Sequence, residues 1–318
     1  MANAILTAPH FHNEAAAFEY VEKLLWPTGP VCPHCGNPER EKIGKLVGVR
    51  TKPSKKNPQG VERHGLYKCY SCRSQFTVRK DTIFEETHLA LHLWLQVIHL
   101  MCASKKGIAT RQVQRLLNCS MQTAWHLTHR IREIMQPGTA GNVPPLGGHG
   151  VTVEADEVYL GAKAGKKKNR RPVEKMAVMT LVERDGAARS FHIPTVRAEN
   201  VRKVLSNTKR GTKLMTDDAR VYQDTMEHFA DHGRIGHSYG EYVKGETHTN
   251  TVEGYFATLR RGLEGVYQSV SEAHLARYLV EFDYRYTHRE RLGIDDKTRA
   301  GLAVRNAKGR RLTYERLG

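Results

Sequence analysis

Residues 151–162, VTVEADEVYLGA, decide how the chain is read. From Val151 to Asp156 apolar and polar side chains alternate, the two-residue period of a strand with one face against a core. Strand and helix signals then repeat downstream. KMAVMTLVERDG (175–186) and ARSFHIPTV (188–196) form a hairpin turning through Asp185-Gly186. RAENVRKVLSNT (197–208) has a helical spacing, TKLMT (212–216) is a short buried strand, and ARVYQDTMEHFADH (219–232) is another helix. SEAHLARYLVEFDYRYT (271–287) closes the region as an amphipathic helix. Strands first, then strands and helices in alternation, predict a mixed α/β sheet covered by helices.

Upstream, QPGTAGNVPPLGGHG (136–150) is rich in Pro and Gly, has no period, and marks a linker. Before it, NEAAAFEYVEKLL (13–25) is a helix with Asn13 as its cap. LALHLWLQVIHLMCAS (89–104) is a strongly apolar helix. Residues 105–135 then read as two shorter helices with a break near Asn118 and Ser120, with Thr110 and Ser120 as caps. Their lengths suit a helix-turn-helix, whose second helix would offer Gln122, His126, His129 and Arg130 to the major groove. A plain helical hairpin has the same pattern. The expected organisation is 1–88, an N-terminal helix and the segment after it; 89–135, helix-turn-helix; 136–150, linker; 151–318, the mixed α/β domain.

CPHCG supplies Cys32 and Cys35, and YKCYSC supplies Cys69 and Cys72. Two CxxC turns converge four thiolates on one structural Zn²⁺, and four cysteines leave no open catalytic position. The spacing between the pairs exceeds the roughly 15–20 residues of a compact ribbon. The excess, VGVRTKPSKKNPQGVERHG (47–65), is basic and reads as a protruding loop. Cys102 and Cys119 read as buried small residues. Six cysteines in 318 residues do not make a disulfide framework.

Lys and Arg number 50 against 33 Asp and Glu, a formal charge of +17. Such a field favours polyanions, nucleic acid above all. No apolar run approaches the roughly 20 residues of a membrane helix, and the N-terminal residues lack the pattern of a secretory signal. A cytoplasmic protein, nucleoid-associated when on DNA, is expected. KAGKKKNRR (163–171) reads as a basic loop off the sheet.

The acids that stand out are Asp156 in the first strand, Asp217 just past TKLMT, and Glu253 in HTNTVEGYFATLRR (248–261). Asn250 and Glu253 share a helix face, and Arg260 lies two turns beyond on that face, where it would hold a phosphate. Singly, Asp217 with Asp218 reads first as the N-cap of the helix that follows, Asp156 as one exposed acid beside Glu154 and Glu157, and Glu253 as a helix surface residue. In their order, in a strand–strand–helix–strand–helix pattern, they predict an RNase-H-like site for two Mg²⁺ or Mn²⁺ ions.

The chain resembles the ISXO-type insertion-sequence transposases of bacteria. The motifs are WPTGPVCPHCG, YKCYSCRSQFTVRKDTIFEET, VEADEVYLGAK, MTDDARVY, HTNTVEGYFATLRRGL and EFDYRYTHR. The resemblance spans almost the whole chain and implies a zinc ribbon, a helix-turn-helix and an RNase-H-like domain. It implies a triad of Asp156, Asp217 and either Asn250 or Glu253, followed by Arg260 or Arg261; charge favours Glu253. Thr287 stands where the family usually has Asn. The implied activity is nicking of the ends of the element and joining of the 3′-hydroxyl to target double-stranded DNA, by a homodimer or larger assembly. The alternatives are a DNA-binding regulator without catalysis, and a nuclease without strand transfer.

Overall fold

The computed structural model describes residues 4–55, 57–138, 142–161, 175–217, 221–222, 229–235 and 248–312. The basic run 163–171 and Asp218 lie outside them. The described chain divides into two compact units. The first comprises residues up to Ala103, Val113–Ile134 and the stretch from Asp296 onward; the second comprises Ser104–Gln112 and Met135–Asp295.

The first unit opens with α1 (Glu14–Leu25), where Asn13 accepts a hydrogen bond from the Ala16 N–H at 3.0 Å, the cap expected of it. A three-stranded antiparallel ribbon comes next: β1 (Ile43–Leu46), β2 (Leu66–Cys69) and β3 (Gln75–Phe76). The insert between β1 and β2 continues the hairpin, with Thr51 N–H donating to Val61 O and Arg63 N–H to Val49 O, both at 2.8 Å. Gly60 turns the arm at φ +69°, and a Cβ there would stand 2.2 Å from Thr51 O, so only glycine fits.

Three helices complete this part of the chain: α2 (Leu91–Ala103), α3 (Thr110–Leu117) and α4 (Met121–Ile134). Ser120 caps α4 by accepting from Thr123 N–H at 3.1 Å, and Asn118 makes the break at φ +46°. Thr110 begins its helix rather than capping it. The face of α4 expected to read bases is largely turned inward. His129 is fully buried, while Arg130 donates to the carbonyls of Ile83 and Glu85 and lies over the Trp94 ring. The guanidinium is consumed by backbone acceptors, so of the four expected readers only Gln122 is exposed and His126 is half-buried.

The catalytic-domain boundary also differs from expectation at its C-terminal end. Helix α8 (Asp296–Arg305) buries Arg299, Ala300, Ala303 and Val304 in the first unit, packing on α1 and α2. Arg299 donates to Cys102 O at 2.9 Å, and Ile83 N–H donates to Ala307 O at 3.0 Å. A short helix with mean composition this polar gives no sequence sign of where it docks.

The second unit is built on five strands, β4 (Thr152–Leu160), β5 (Met176–Glu183), β6 (Ala188–Ile193), β7 (Lys213–Asp217) and β8 (Asp231–Ile235), in the order β6-β5-β4-β7-β8. β4–β5–β6 is an antiparallel meander; β7 and β8 run parallel to β4. This is the RNase-H-like mixed sheet, with β4 at its centre. α5 (Ala198–Leu205) covers one face. α6 (Asn250–Gly262) and α7 (Glu272–Thr287) cover the other. Strand β8 takes up Asp231 and His232, which read as the end of a helix; residues 223–228 of that reading are outside the described range. As an edge strand with one buried residue, Ile235, β8 lacks the alternation that would reveal it.

Candidate active site and metal centre

On β4 the two faces alternate. Val153 and Ala155 pack into the α5-side core, and Val158 and Leu160 into the α6–α7 core. Glu154 and Asp156 therefore point to the α6 side and Glu157 to the other. β7 pairs with β4 in the register Thr152↔Lys213 to Glu154↔Met215. Carrying that register two residues further sets Asp217 level with Asp156 on the neighbouring strand, on the same face. Adjacent strands lie about 4.8 Å apart.

The third acid comes from α6. Val252, Tyr255, Phe256 and Leu259 are buried against the sheet, which leaves Asn250, Glu253 and Arg260 exposed. Thr249, itself buried, donates to Glu253 Oε1 at 3.1 Å. The acids feel one another. Burial pushes the Asp156 carboxyl up to about 7, the Glu157 N–H at 2.7 Å draws it back, and the charges of Glu157, Asp217 and Glu253 raise it further. Burial likewise raises Glu157, against the pull of the Tyr222 hydroxyl that donates to it at 2.5 Å. Among the described residues these carboxylates do not close to within 4.8 Å as a group; that spacing is met by the cysteines alone. A buried carboxylate facing other acids offers oxygen donors suited to hard divalent cations, whose charge would offset its burial.

The sequence reading missed two acids. Glu154, taken for an exposed neighbour, is fully buried and bonded to Arg184 and to the first turn of α6. Glu157 is half-buried on the hydroxyl of Tyr222. The two-residue period carried a signal for the first: a carboxylate two places before Asp156 shares its face and must find partners there.

In the ribbon, all four cysteine sulfurs lie within 4.8 Å of one another. Cys32 and Cys72 sulfurs are 3.6 Å apart, and those of Cys35 and Cys69 are 3.7 Å apart. Zn–S bonds of about 2.3 Å at tetrahedral angles put sulfurs about 3.8 Å apart, so the set fits Zn²⁺. Each knuckle turns on a left-handed residue four places after its first cysteine, Gly36 and Arg73. The Ser74 hydroxyl and N–H pull the Cys72 thiol down to about 6, and the Cys72 N–H lowers Cys69, both favouring thiolate.

Two family models match: the ISXO2-like transposase domain over residues 145–287, and the transposase zinc-ribbon domain over residues 12–75. Residues 145–287 are an ISXO2-like transposase domain. That range holds the carboxylates, and the zinc-ribbon range holds the cysteines. A relative described as an uncharacterized protein in transposable element ISH50 of Halobacterium salinarum is 26% identical over 303 residues, covering 86% of this chain and 91% of that one. Two solved structures, a Mos1 transposase paired-end complex with left transposon end and a pre-cleavage Mos1 transpososome, are each 14% identical to this chain. They cover 63% of this chain and 76% and 75% of theirs, with TM-scores of 0.26 and 0.23. Among the described residues no helix of this transposase is long and apolar enough to cross a membrane.

Proposed function

We propose that this transposase cleaves DNA at the ends of its own mobile element and joins each freed 3′-hydroxyl to target DNA. The observation that carries the reading is the β4–β7 register, which sets Asp217 level with Asp156 on the neighbouring strand although the two are 61 positions apart in sequence. Asp156, Asp217 and Glu253 would hold two Mg²⁺ or Mn²⁺ ions, which supply activation of the attacking oxygen and stabilisation of the leaving one. Glu253 is preferred to Asn250 as third ligand because it brings charge, and Asn250 flanks it one turn earlier. In each step one P–O bond forms as another breaks, first with water as nucleophile and then with the 3′-hydroxyl. No bond to the protein is made.

The chain's own share is placement and charge. Asp156 and Asp217 would act from adjacent strands and Glu253 from the exposed face of α6, while Arg260 would offer an exposed guanidinium to a backbone phosphate. The formal charge of +17 supports double-stranded DNA as partner, and paired end cleavage calls for a homodimer or larger assembly.

An element-end duplex incubated with a plasmid target tests this. Asp156→Asn and Asp217→Asn should each lower Mg²⁺-dependent cleavage and joining by at least about 100-fold while metal-free DNA binding stays within about twofold. Cleavage that survives both changes refutes the site. A wild-type protein that binds the ends yet neither cuts nor joins with Mg²⁺ or Mn²⁺ is the non-catalytic regulator instead, and one that cuts without joining is a nuclease.

A further inference from the structure

Glu154 has no exposed surface, and a carboxylate so placed must have its charge answered. Its partners are unusual in where they sit. Oε1 accepts from Arg184 Nε at 2.7 Å and from the Thr251 hydroxyl at 2.8 Å. Oε2 accepts from the backbone N–H groups of Thr251 at 2.8 Å and Val252 at 3.0 Å. His248 Nδ1 stands 3.2 Å from Oε1. Arg184 also donates to His248 O at 2.9 Å. Thr249, the residue before α6, makes no side-chain cap, so the N–H groups opening the helix are met by an acid from a distant strand.

We infer that Glu154 is a positioning residue for strand cleavage: with Arg184 it clasps the first turn of α6 and so fixes where Asn250 and Glu253 stand beside Asp156. The inference rests on the catalytic reading above. Its logic is covalent. Glu154 and Asp156 are two residues apart on one face of β4, about 6.6 Å along the strand. The clasp and the first metal-binding acid therefore share one rigid ruler, and the helix bearing the third acid is referenced to it. Thr251 and Val252 lie between Asn250 and Glu253 in sequence, so the grip falls within the ligand-bearing turn. A second anchor on α6 serves as comparison. Tyr255 donates to the buried Asp283 of α7 at 2.5 Å, one turn further on, and its hydroxyl bonds Ser190 of β6, two strands from β4.

The test compares three variants of the full chain by Mn²⁺ titration calorimetry and by the Mn²⁺ concentration that half-saturates end cleavage. Glu154→Gln keeps the shape but cannot accept all four bonds. It should weaken Mn²⁺ binding at least about 10-fold and shift the half-saturating concentration in step. Tyr255→Phe should lower the melting temperature without moving either metal value. Glu154→Gln combined with Glu253→Gln should bind Mn²⁺ no more weakly than Glu253→Gln alone, because the clasp acts through that ligand. If Glu154→Gln fails to unfold cooperatively, Arg184→Gln, which loosens the clasp from its solvent side, takes its place with the same expectation. Wild-type Mn²⁺ affinity in the clasp variants, or additive losses in the double variant, overturns the inference. Affinity lost in Asp156→Asn but kept in the clasp variants refutes the clasp alone. Mn²⁺ binding that ignores Asp156→Asn refutes the catalytic site and the clasp with it.

Discussion

At the scale of single residues, Asp156 is held at a cost. Its carboxyl sits at about 7 in the folded chain because burial and three neighbouring acids oppose its charge. A carboxyl raised on folding stabilises the fold fully only below its ordinary range, and that contribution fades as pH climbs through 7. Without added divalent ions, wild-type protein should therefore lose about 2 kcal/mol of stability from this group between pH 5.5 and pH 8. Asp156→Asn, which cannot ionise, should show a smaller loss, visible as a higher melting temperature than wild type at pH 8. Added Mn²⁺ should restore the wild type and leave the variant unchanged. An Asp156→Asn protein that melts below wild type at pH 8 would show that the acids do not repel as described. Asp283, fully enclosed, is pushed up to about 6 by burial despite bonds from Tyr255 and Ser190, and it adds to the same trend in both proteins.

At the scale of elements, α6 turns Asn250, Glu253 and Arg260 outward because its opposite face fits closely. Gly262 closes the helix where a Cβ would meet Phe282 of α7 at 2.3 Å and Lys106 O at 2.7 Å. Gly262→Ala gains helix propensity of up to about 1 kcal/mol, yet overpacking here should exceed it and leave a net loss of about 1–2 kcal/mol in thermal or urea unfolding. A more stable variant would mean the α6–α7 contact has slack. Elements that bury a regular stripe were legible in the sequence. β4, the β5–β6 hairpin, α5, α6 and α7 all fall where their periods put them, because packing against one core imposes the period. β8 was not legible, since an edge strand with a single buried residue has no pattern to read. Nor was the inward turn of Arg130, because a guanidinium that satisfies backbone carbonyls looks in sequence like one awaiting DNA. That Asp156 and Asp217 fall on strands was legible in their order, whereas the burial of Glu154 depends on where α6 begins, nearly a hundred residues later.

At the scale of the molecule, each unit has its own core, and the first is assembled from segments on both sides of the second. A chain ending at Asp295 should lose protection of residues 1–134 in limited proteolysis read by mass spectrometry, while fragments within 135–295 persist. Equal survival of both would show that α8 is dispensable to α1 and α2. The order of these segments also bears on the birth of the protein. Translation runs at roughly 5–20 residues per second, so α8 leaves the ribosome roughly 10–30 s after α4. Throughout that interval the nascent chain can finish its central sheet but not its first unit, which waits for α8. A message cut before α8 thus yields a central module whose companion never closes.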